Sequence, residues 1–373
     1  MPAHLSADQL ARDLSIWDLT DPAGGPHALQ LVLGRAVKAL AHRWGCEIRW
    51  WRGDRVVTVA DNYDNLGYAA DDVTRDSRYT RYVDDHRMLR SHSSAMVPAA
   101  LRDLAADPDE DVLLVCPGIV YRRDSIDRLH TGTPHQLDLW RVTRRPERMA
   151  GADLDDMVSV LVDALLPGAT HRQESRVHPY TLAGRQVDIA RAGEWIEIAE
   201  CGLAHPRVLA RAGLDGAWSG LAMGMGLDRM LMLLKNIPDI RVLRSADPAV
   251  AAQLTDLAPY RPVSAMPAIR RDLSVAVDRD DLAEDLGDRV RDALGLDADC
   301  VEAVEILAET PYPDLPPQAR RRLGARPDQK NVLLKVVLRH LNRALTDHHA
   351  NQLRDRIYAA VHQGDAYEWA AGS

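Results

Sequence analysis

At 373 residues, with 46% hydrophobic and 27% charged side chains, the chain has room for two or three domains and is too apolar to be disordered. A net charge of −9 speaks against a broad nucleic-acid footprint, and the charged opening MPAHLSADQLARDLSIWDL fits neither a signal peptide nor a membrane span. Cys46, Cys116, Cys201 and Cys300 stand far apart with no CxxC pair, which fits reduced thiols in a cytoplasm and argues against zinc or disulfide frameworks.

In chain order, residues 1–20 predict a short amphipathic helix, and 25–44 (HALQLVLGRAVKALAHRW within it) a long one with Pro26 near its start. Strand-like runs at 47–51 and 55–59 flank a turn at 52–54. Asn62-Tyr63-Asp64-Asn65-Leu66 taken alone reads as a surface turn with an aromatic plug. Leu89-Arg90-Ser91-His92-Ser93-Ser94 taken alone reads as a loop or helix cap. A helix over 96–105 then leads to a strand over 112–116.

The segment 118–142, GIVYRRDSIDRLHTGTPHQLDLWRV, reads as two extended stretches around a polar loop at 127–134. Arg122 and Asp124 stand two apart, hence on one face of a strand over 119–126. On the return, Gln136, Asp138 and Trp140 point one way, and His135, Leu137 and Leu139 the other. An arginine, two carboxylates and an amide on one face, near a tip with Arg128 and His130, can hold an anion and an ammonium group together.

Further on, 153–166 predicts an amphipathic helix, and 176–188 (RVHPYTLAGRQVD) a strand region. Glu194–Pro206 is EWIEIAECGLAHP. Gly220–Leu233, GLAMGMGLDRMLML, sets three glycines before Asp228-Arg229 and an apolar helix, so backbone and a ligand can approach closely. A proline-bearing connector covers 251–262. From 268 onward the pattern is strand, helix 281–294, strand 301–307, proline-rich loop, strand 331–340, helix 347–362. That order predicts a ferredoxin-like α+β domain.

Together these motifs resemble phenylalanyl-tRNA synthetases, from about residue 26 to the C-terminus. The helix and strand at 25–51 take the place of motif 1. R-D-x-x-D-x-x-x-H with H-Q-x-D resembles motif 2, G-x-A-x-G-x-G-x-D-R motif 3, and W-x-E-x-x-x-C-G-x-x-H-P a further family strand. Asn62–Leu66 is similar to N-F-D-x-L, and Leu89–Ser94 to L-R-x-H-x-S. The resemblance implies an α+β fold: a class II antiparallel sheet flanked by helices over residues 1–256, and a ferredoxin-fold anticodon-binding-like domain over 257–373.

The implied activity is ATP-dependent activation of an amino acid, phenylalanine first, and its transfer to tRNA, with Mg²⁺ as cofactor. The architecture is similar to the single-chain organellar form, as a cytoplasmic monomer or homodimer with no membrane attachment. Arg122 would bridge the amino-acid carboxylate and the α-phosphate. Arg229 and His130 would hold the ATP tail, Asp124 would line the ATP site, and Glu197 would carry Mg²⁺ against the phosphates. His92 and Ser94 would lie near the carboxylate, and Gln136 and Asp138 would take the ammonium. His178, Tyr180 and Ala222 would shape the side-chain pocket. Arg320, Arg321, Arg322 and Arg326, crowding the central C-terminal loop with Lys330, would contact tRNA phosphates.

The chain departs from the family at the pocket. His178 and Tyr180 replace two phenylalanines around Pro179, Leu182-Ala183-Gly184 replaces glutamate–proline–glycine, and Leu139 replaces a glycine. Asp124, Asp138 and Asp228 replace glutamates. The chain also has no phenylalanine at all, beside 8 Trp and 10 Tyr. Three accounts stay open: an enzyme spared the need for its own product, drift or engineering, and a paralogue with a more polar pocket. A paralogue could activate another amino acid and pass it to a small molecule or carrier, with no tRNA charging.

Overall fold

Seven strands form one sheet in the order β1-β4-β5-β9-β8-β7-β6. They are β1 (Glu47–Trp50), β4 (Asp111–Ile119), β5 (His135–Thr143), β6 (His171–Ser175), β7 (Thr181–Arg191), β8 (Glu194–Ala204) and β9 (Ser219–Gly226). Every pair is antiparallel except β1 with β4, so the expected antiparallel sheet is a mixed one with a parallel edge. A small antiparallel pair, β2 (Val56–Thr58) and β3 (Arg87–Leu89), stands apart. The computed structural model describes residues 4–77, 79–263 and 266–366. The expected C-terminal domain extends through 367–373, which lie outside the described residues.

The chain divides into two compact units. The first comprises residues 1–122, 133–237 and 252–260; the second comprises 123–132, 238–251 and 261–373. In the first unit, helix Ala28–Trp44 starts at His27, whose Nδ1 accepts from Leu29 N at 3.1 Å, and stops at Gly45 in the left-handed region at φ 62°. Its buried face carries Leu29, Val32, Leu33, Ala36, Val37 and Leu40, the stripe expected of an amphipathic helix. The first helix is shorter than its expected span, Ala7–Ser15, because Ser6 and Gln9 close a capping box at its start.

The other sheet face meets helices Val97–Ala106 and Pro206–Arg211. Trp140, Leu114, Cys116, Ala222, Leu101, Leu104 and Val208 form a single buried cluster there. Lys235, only 1% exposed at the end of helix Leu227–Lys235, donates to the carbonyls of Asp256 and Ala258 and to Asp256 Oδ1, at 2.6–3.0 Å.

The second unit has a three-stranded antiparallel sheet, β10 (Ile269–Asp278), β11 (Val301–Pro311) and β12 (Gln329–Leu338), in the order β10-β12-β11. Helices Ala283–Leu294 and Asp347–Val361 cover one face. Leu273, Val275, Val277, Leu286, Val290, Val332, Leu334, Val336, Leu353 and Ile357 are buried between.

Two local expectations are corrected. The extended stretch over 119–126 ends as a strand at Ile119. Beyond it, the carbonyls of Asp124 and Ser125 accept from Arg291 at 2.5 and 2.7 Å, and Ile126 O accepts from Val304 N at 2.9 Å, so this backbone is paired within the second unit. Arg122 and Asp124 therefore do not share a strand face. The arginine-rich stretch is not a loop: Pro317–Leu323 is a helix, begun by proline and ended by Gly324 at φ 56°. Lys330 is on β12, mostly buried, donating to Asp281 O and paired with Glu309.

Candidate active site

The sheet's ladder builds the floor of the site. Gln136, Asp138 and Trp140 alternate along β5, opposite Gly226, Gly224 and Ala222 of β9. Gly224 in turn faces Glu200 of β8. One row thus reads Asp138, Gly224, Glu200, with bare backbone between two carboxylates. A Cβ at Gly224 would lie 3.7 Å from Asp138 Oδ2, so a longer side chain would fill that space.

Alternation alone would put Glu197 and Glu200, three apart, on opposite faces. The register shifts where Val187 and Asp188 pair with Ala199 and Glu197, skipping Ile198. This bulge returns Glu197 to the same side. Burial, then the neighbouring Glu200, push its carboxyl above the ordinary range, against the pull of Arg229. Glu200 is held below its ordinary range by His178, whose Nε2 lies 3.2 Å from Oε2, and by Arg176 at 3.4 Å. Arg229 lies in the first turn of helix Leu227–Lys235 and donates to Glu197 O at 3.3 Å.

Asp138 is 2% exposed. Its Oδ2 accepts from Ser93 Oγ at 2.5 Å and Ser94 Oγ at 3.0 Å, and its Oδ1 from Trp140 Nε1 at 3.1 Å. Burial outweighs these three donors and raises its carboxyl to about 6. Gln136 Oε1 accepts from Ser93 N at 3.1 Å. His92 is bracketed by Asn62, whose amide nitrogen lies 3.4 Å from Nε2 and donates to Ser91 Oγ at 2.9 Å. Burial lowers His92 to about 4, with a smaller push from the Arg122 charge, so its imidazole is neutral near pH 7.

A cluster of stacked rings adjoins these polar groups. Tyr68 stacks on His92 with ring centroids 5.7 Å apart, and lies 6.3 Å from Tyr180. Tyr180 stacks on His178 at 5.7 Å and on Trp140 at 6.2 Å. Ala222 is fully enclosed in the cluster around Trp140.

The first unit therefore gathers His92, Ser94, Gln136, Asp138, His178, Tyr180, Glu197 and Arg229 on one sheet face, with Arg122 close enough to His92 to act on its charge. Asp124 and His130 belong to the second unit, where His130 Nδ1 lies 2.7 Å from Asp127 Oδ2. Sequence reasoning gave no site role to Asn62, Tyr68, Ser93, Trp140 or Glu200. Only the bulge makes Glu200 a neighbour of Glu197, and no local signal marks Tyr68.

Among the four C-terminal arginines, Arg320 stacks on Tyr312 at 4.6 Å and donates to Pro313 O, and Arg326 donates to Gln363 O and Asp365. Arg321 is exposed and Arg322 half-buried.

Among the described residues, no group of three or more His, Cys, Asp or Glu side chains converges as a metal cage. A magnesium ion on phosphates needs only one or two protein carboxylates, and the raised carboxyl of Glu197 marks negative charge that such a cation would offset. Among the described residues no helix is long and apolar enough to cross a membrane.

The family of tRNA synthetases class II core domain (F) matches residues 13–254. The phenylalanine–tRNA ligase alpha subunit of Nostoc punctiforme is 29% identical over 65% of this chain and 71% of its own length. A probable mitochondrial phenylalanine–tRNA ligase of Drosophila melanogaster is 27% identical over 82% of this chain and 75% of its own. The phenylalanine–tRNA ligase alpha subunit of Prochlorococcus marinus (strain MIT 9313) is 32% identical over 65% and 70%.

Proposed function

Since the chain belongs to the class II aminoacyl-tRNA synthetase family and is an aminoacyl-tRNA ligase, we propose that it activates phenylalanine with ATP and transfers it to tRNA. The observation that carries this reading is the layout across the bare Gly224–Gly226 strip. On one side stand Gln136 and Asp138 beside the stacked rings of Tyr180 and Trp140; on the other stand Glu197 and Arg229. The named ligases among its relatives put phenylalanine first among amino acids.

In this reading the amino-acid carboxylate attacks the α-phosphate in line and pyrophosphate leaves; the acyl group then passes from the adenylate to a ribose hydroxyl of tRNA as AMP leaves. No enzyme nucleophile is needed, so positioning and charge neutralisation supply the rate. Asp138 and Gln136 fix the ammonium. Neutral His92, with Ser94, meets the carboxylate, and Arg122 spans carboxylate and α-phosphate. Arg229 holds the distal phosphates. Glu197 would hold magnesium, which supplies countercharge to the phosphates.

The C-terminal unit serves as a ferredoxin-fold anticodon-binding-like domain, with Arg320, Arg321, Arg322 and Arg326 near tRNA phosphates. The four cysteines, all unpaired, suit work in a reducing cytoplasm, by a monomer or homodimer. The test is formation of acid-precipitable phenylalanyl-tRNA from labelled phenylalanine, ATP and tRNA. Esterified label that ribonuclease releases supports the reading; adenylate without transfer contradicts its second half.

A further inference from the structure

Arg122 stands three residues past the end of β4, which stops at Ile119, so the sheet ladder does not reach it. Val120 N and Tyr121 N still find backbone partners, Pro134 O and Arg90 O, at 2.8 Å each. At Arg122 a side chain takes over. Arg81 Nη2 donates to its carbonyl oxygen at 3.4 Å.

Arg81 is itself held from a distant stretch of the chain. Its Nη1 lies 2.8 and 2.9 Å from the two carboxylate oxygens of Asp13, in helix Ala7–Ser15. The two side chains are only 11% and 13% exposed, so solvent screens this pair far less than a surface one. One guanidinium therefore gives one branch to Asp13 and the other to the Arg122 backbone. A point-charge ammonium cannot divide itself in that way.

The stretch around Asp13 also grips the residues just before Arg122. Arg55 Nη1 joins Leu14 O and Ile16 O, at 3.0 and 2.7 Å, to the Tyr121 hydroxyl at 3.2 Å. Asp18 Oδ2 accepts from Ile119 N at 3.0 Å, and Leu10 and Ile16 pack against the buried cluster of Leu89, Ile119 and Tyr121. A brace needed only for folding would end there, because the Tyr121 ring and hydroxyl are already anchored. The second branch of Arg81 reaches one residue further, to the backbone of the side chain read as the bridge between carboxylate and α-phosphate.

We propose that Arg81 and Asp13 are positioning residues for amino-acid activation, which fix the backbone at Arg122 so that its guanidinium is already aimed at carboxylate and α-phosphate. The inference rests on that reading of Arg122 and extends it to two residues that act through it.

The test measures ATP–pyrophosphate exchange with phenylalanine for the native protein, Arg81→Lys, Asp13→Asn, Arg122→Lys and the double variant Arg81→Lys/Arg122→Lys. Arg81→Lys keeps a cation for Asp13 and loses the second branch, so kcat per folded molecule should fall about tenfold or more. The KM for phenylalanine should stay within about twofold, since Ser93, Ser94 and Trp140 hold Asp138 independently. Asp13→Asn keeps the shape and one acceptor, and should show the same split to a smaller degree. With Arg122→Lys already present, Arg81→Lys should cost less than about twofold more, because both changes disturb one group.

A pair that serves folding alone would lower the melting temperature and leave kcat per folded molecule unchanged. Native kcat in folded Arg81→Lys, whatever its KM, or losses that multiply in the double variant, overturns the proposal while Arg122 keeps its role. Exchange by Arg122→Lys at the native rate overturns the reading of Arg122 and the proposal with it. If Arg81→Lys does not fold, Asp13→Asn with and without Arg122→Lys decides in the same way.

Discussion

Asp228 takes both donors of His135: the backbone N–H at 2.5 Å on Oδ2, and the imidazole Nδ1 at 2.8 Å on Oδ1. His135 immediately precedes Gln136, and Asp228 immediately precedes Arg229. The pair is buried, with side chains 1% and 7% exposed, and Leu19 N donates to the other imidazole nitrogen at 3.2 Å. It therefore fixes strand β5, which carries Gln136, to the helix that carries Arg229.

Asp228→Ala should lower kcat/KM for both substrates by about ten- to a hundredfold, since ångström-scale misplacement of positioning groups costs that much. His135→Ala should do nearly the same, and the double variant should add little. Additive losses in exchange kinetics would show that the two side chains act separately.

Asp138 gives the pH dependence. Its carboxyl ionises near 6 in the folded chain against 3.8 when unfolded, so it is neutral at low pH and, in the proposed role, would bind an ammonium only once ionised. Amino-acid kcat/KM should therefore rise with pH through about 6, and Asp138→Asn should be slow and flat. Stability runs the other way. A raised folded value means the contribution is whole below 3.8 and lost as pH climbs through about 6. Melting curves should then show Asp138→Asn gaining on the native protein over that interval.

Much of this was legible in the chain. The glycines before Arg229 and the alternation of Gln136, Asp138 and Trp140 lie together because strand and helix periods fix their faces, and the His92–Ser94 segment joins them through Ser93 and Ser94 on Asp138. What was not legible depends on irregularity or long-range pairing. A skipped residue at Ile198 sets Glu197 beside Glu200. The end of β4 at Ile119 reflects backbone partners more than a hundred residues away, on Arg291 and Val304. Tyr68 joins His92 and Tyr180 from a turn with no periodic pattern.

Lys235 should matter for folding and not for chemistry. It is 1% exposed and serves two carbonyls and a largely exposed carboxylate. Lys235→Met keeps the stem but strands the two carbonyls, which should cost about 2–4 kcal/mol. Denaturant titration reads that loss; exchange rates per folded molecule should stay within about twofold, because no site residue loses a partner.

The arginines of the second unit should separate in their effect on tRNA. Arg321 is exposed, whereas Arg320 and Arg326 are engaged within their own unit. Arg321→Ala should weaken tRNA binding and reduce the salt slope by about one, with melting temperature unchanged. Arg326→Ala should lower the melting temperature as well, since its ties to Gln363 and Asp365 are lost. Filter binding across a salt series, alongside melting curves, distinguishes the two.

If this sheet face activates phenylalanine, amino-acid-dependent ATP–pyrophosphate exchange across the twenty standard amino acids should be greatest with phenylalanine, and Arg229→Ala and Arg122→Ala should abolish it. Exchange driven by a different amino acid, or by none, would contradict that activity.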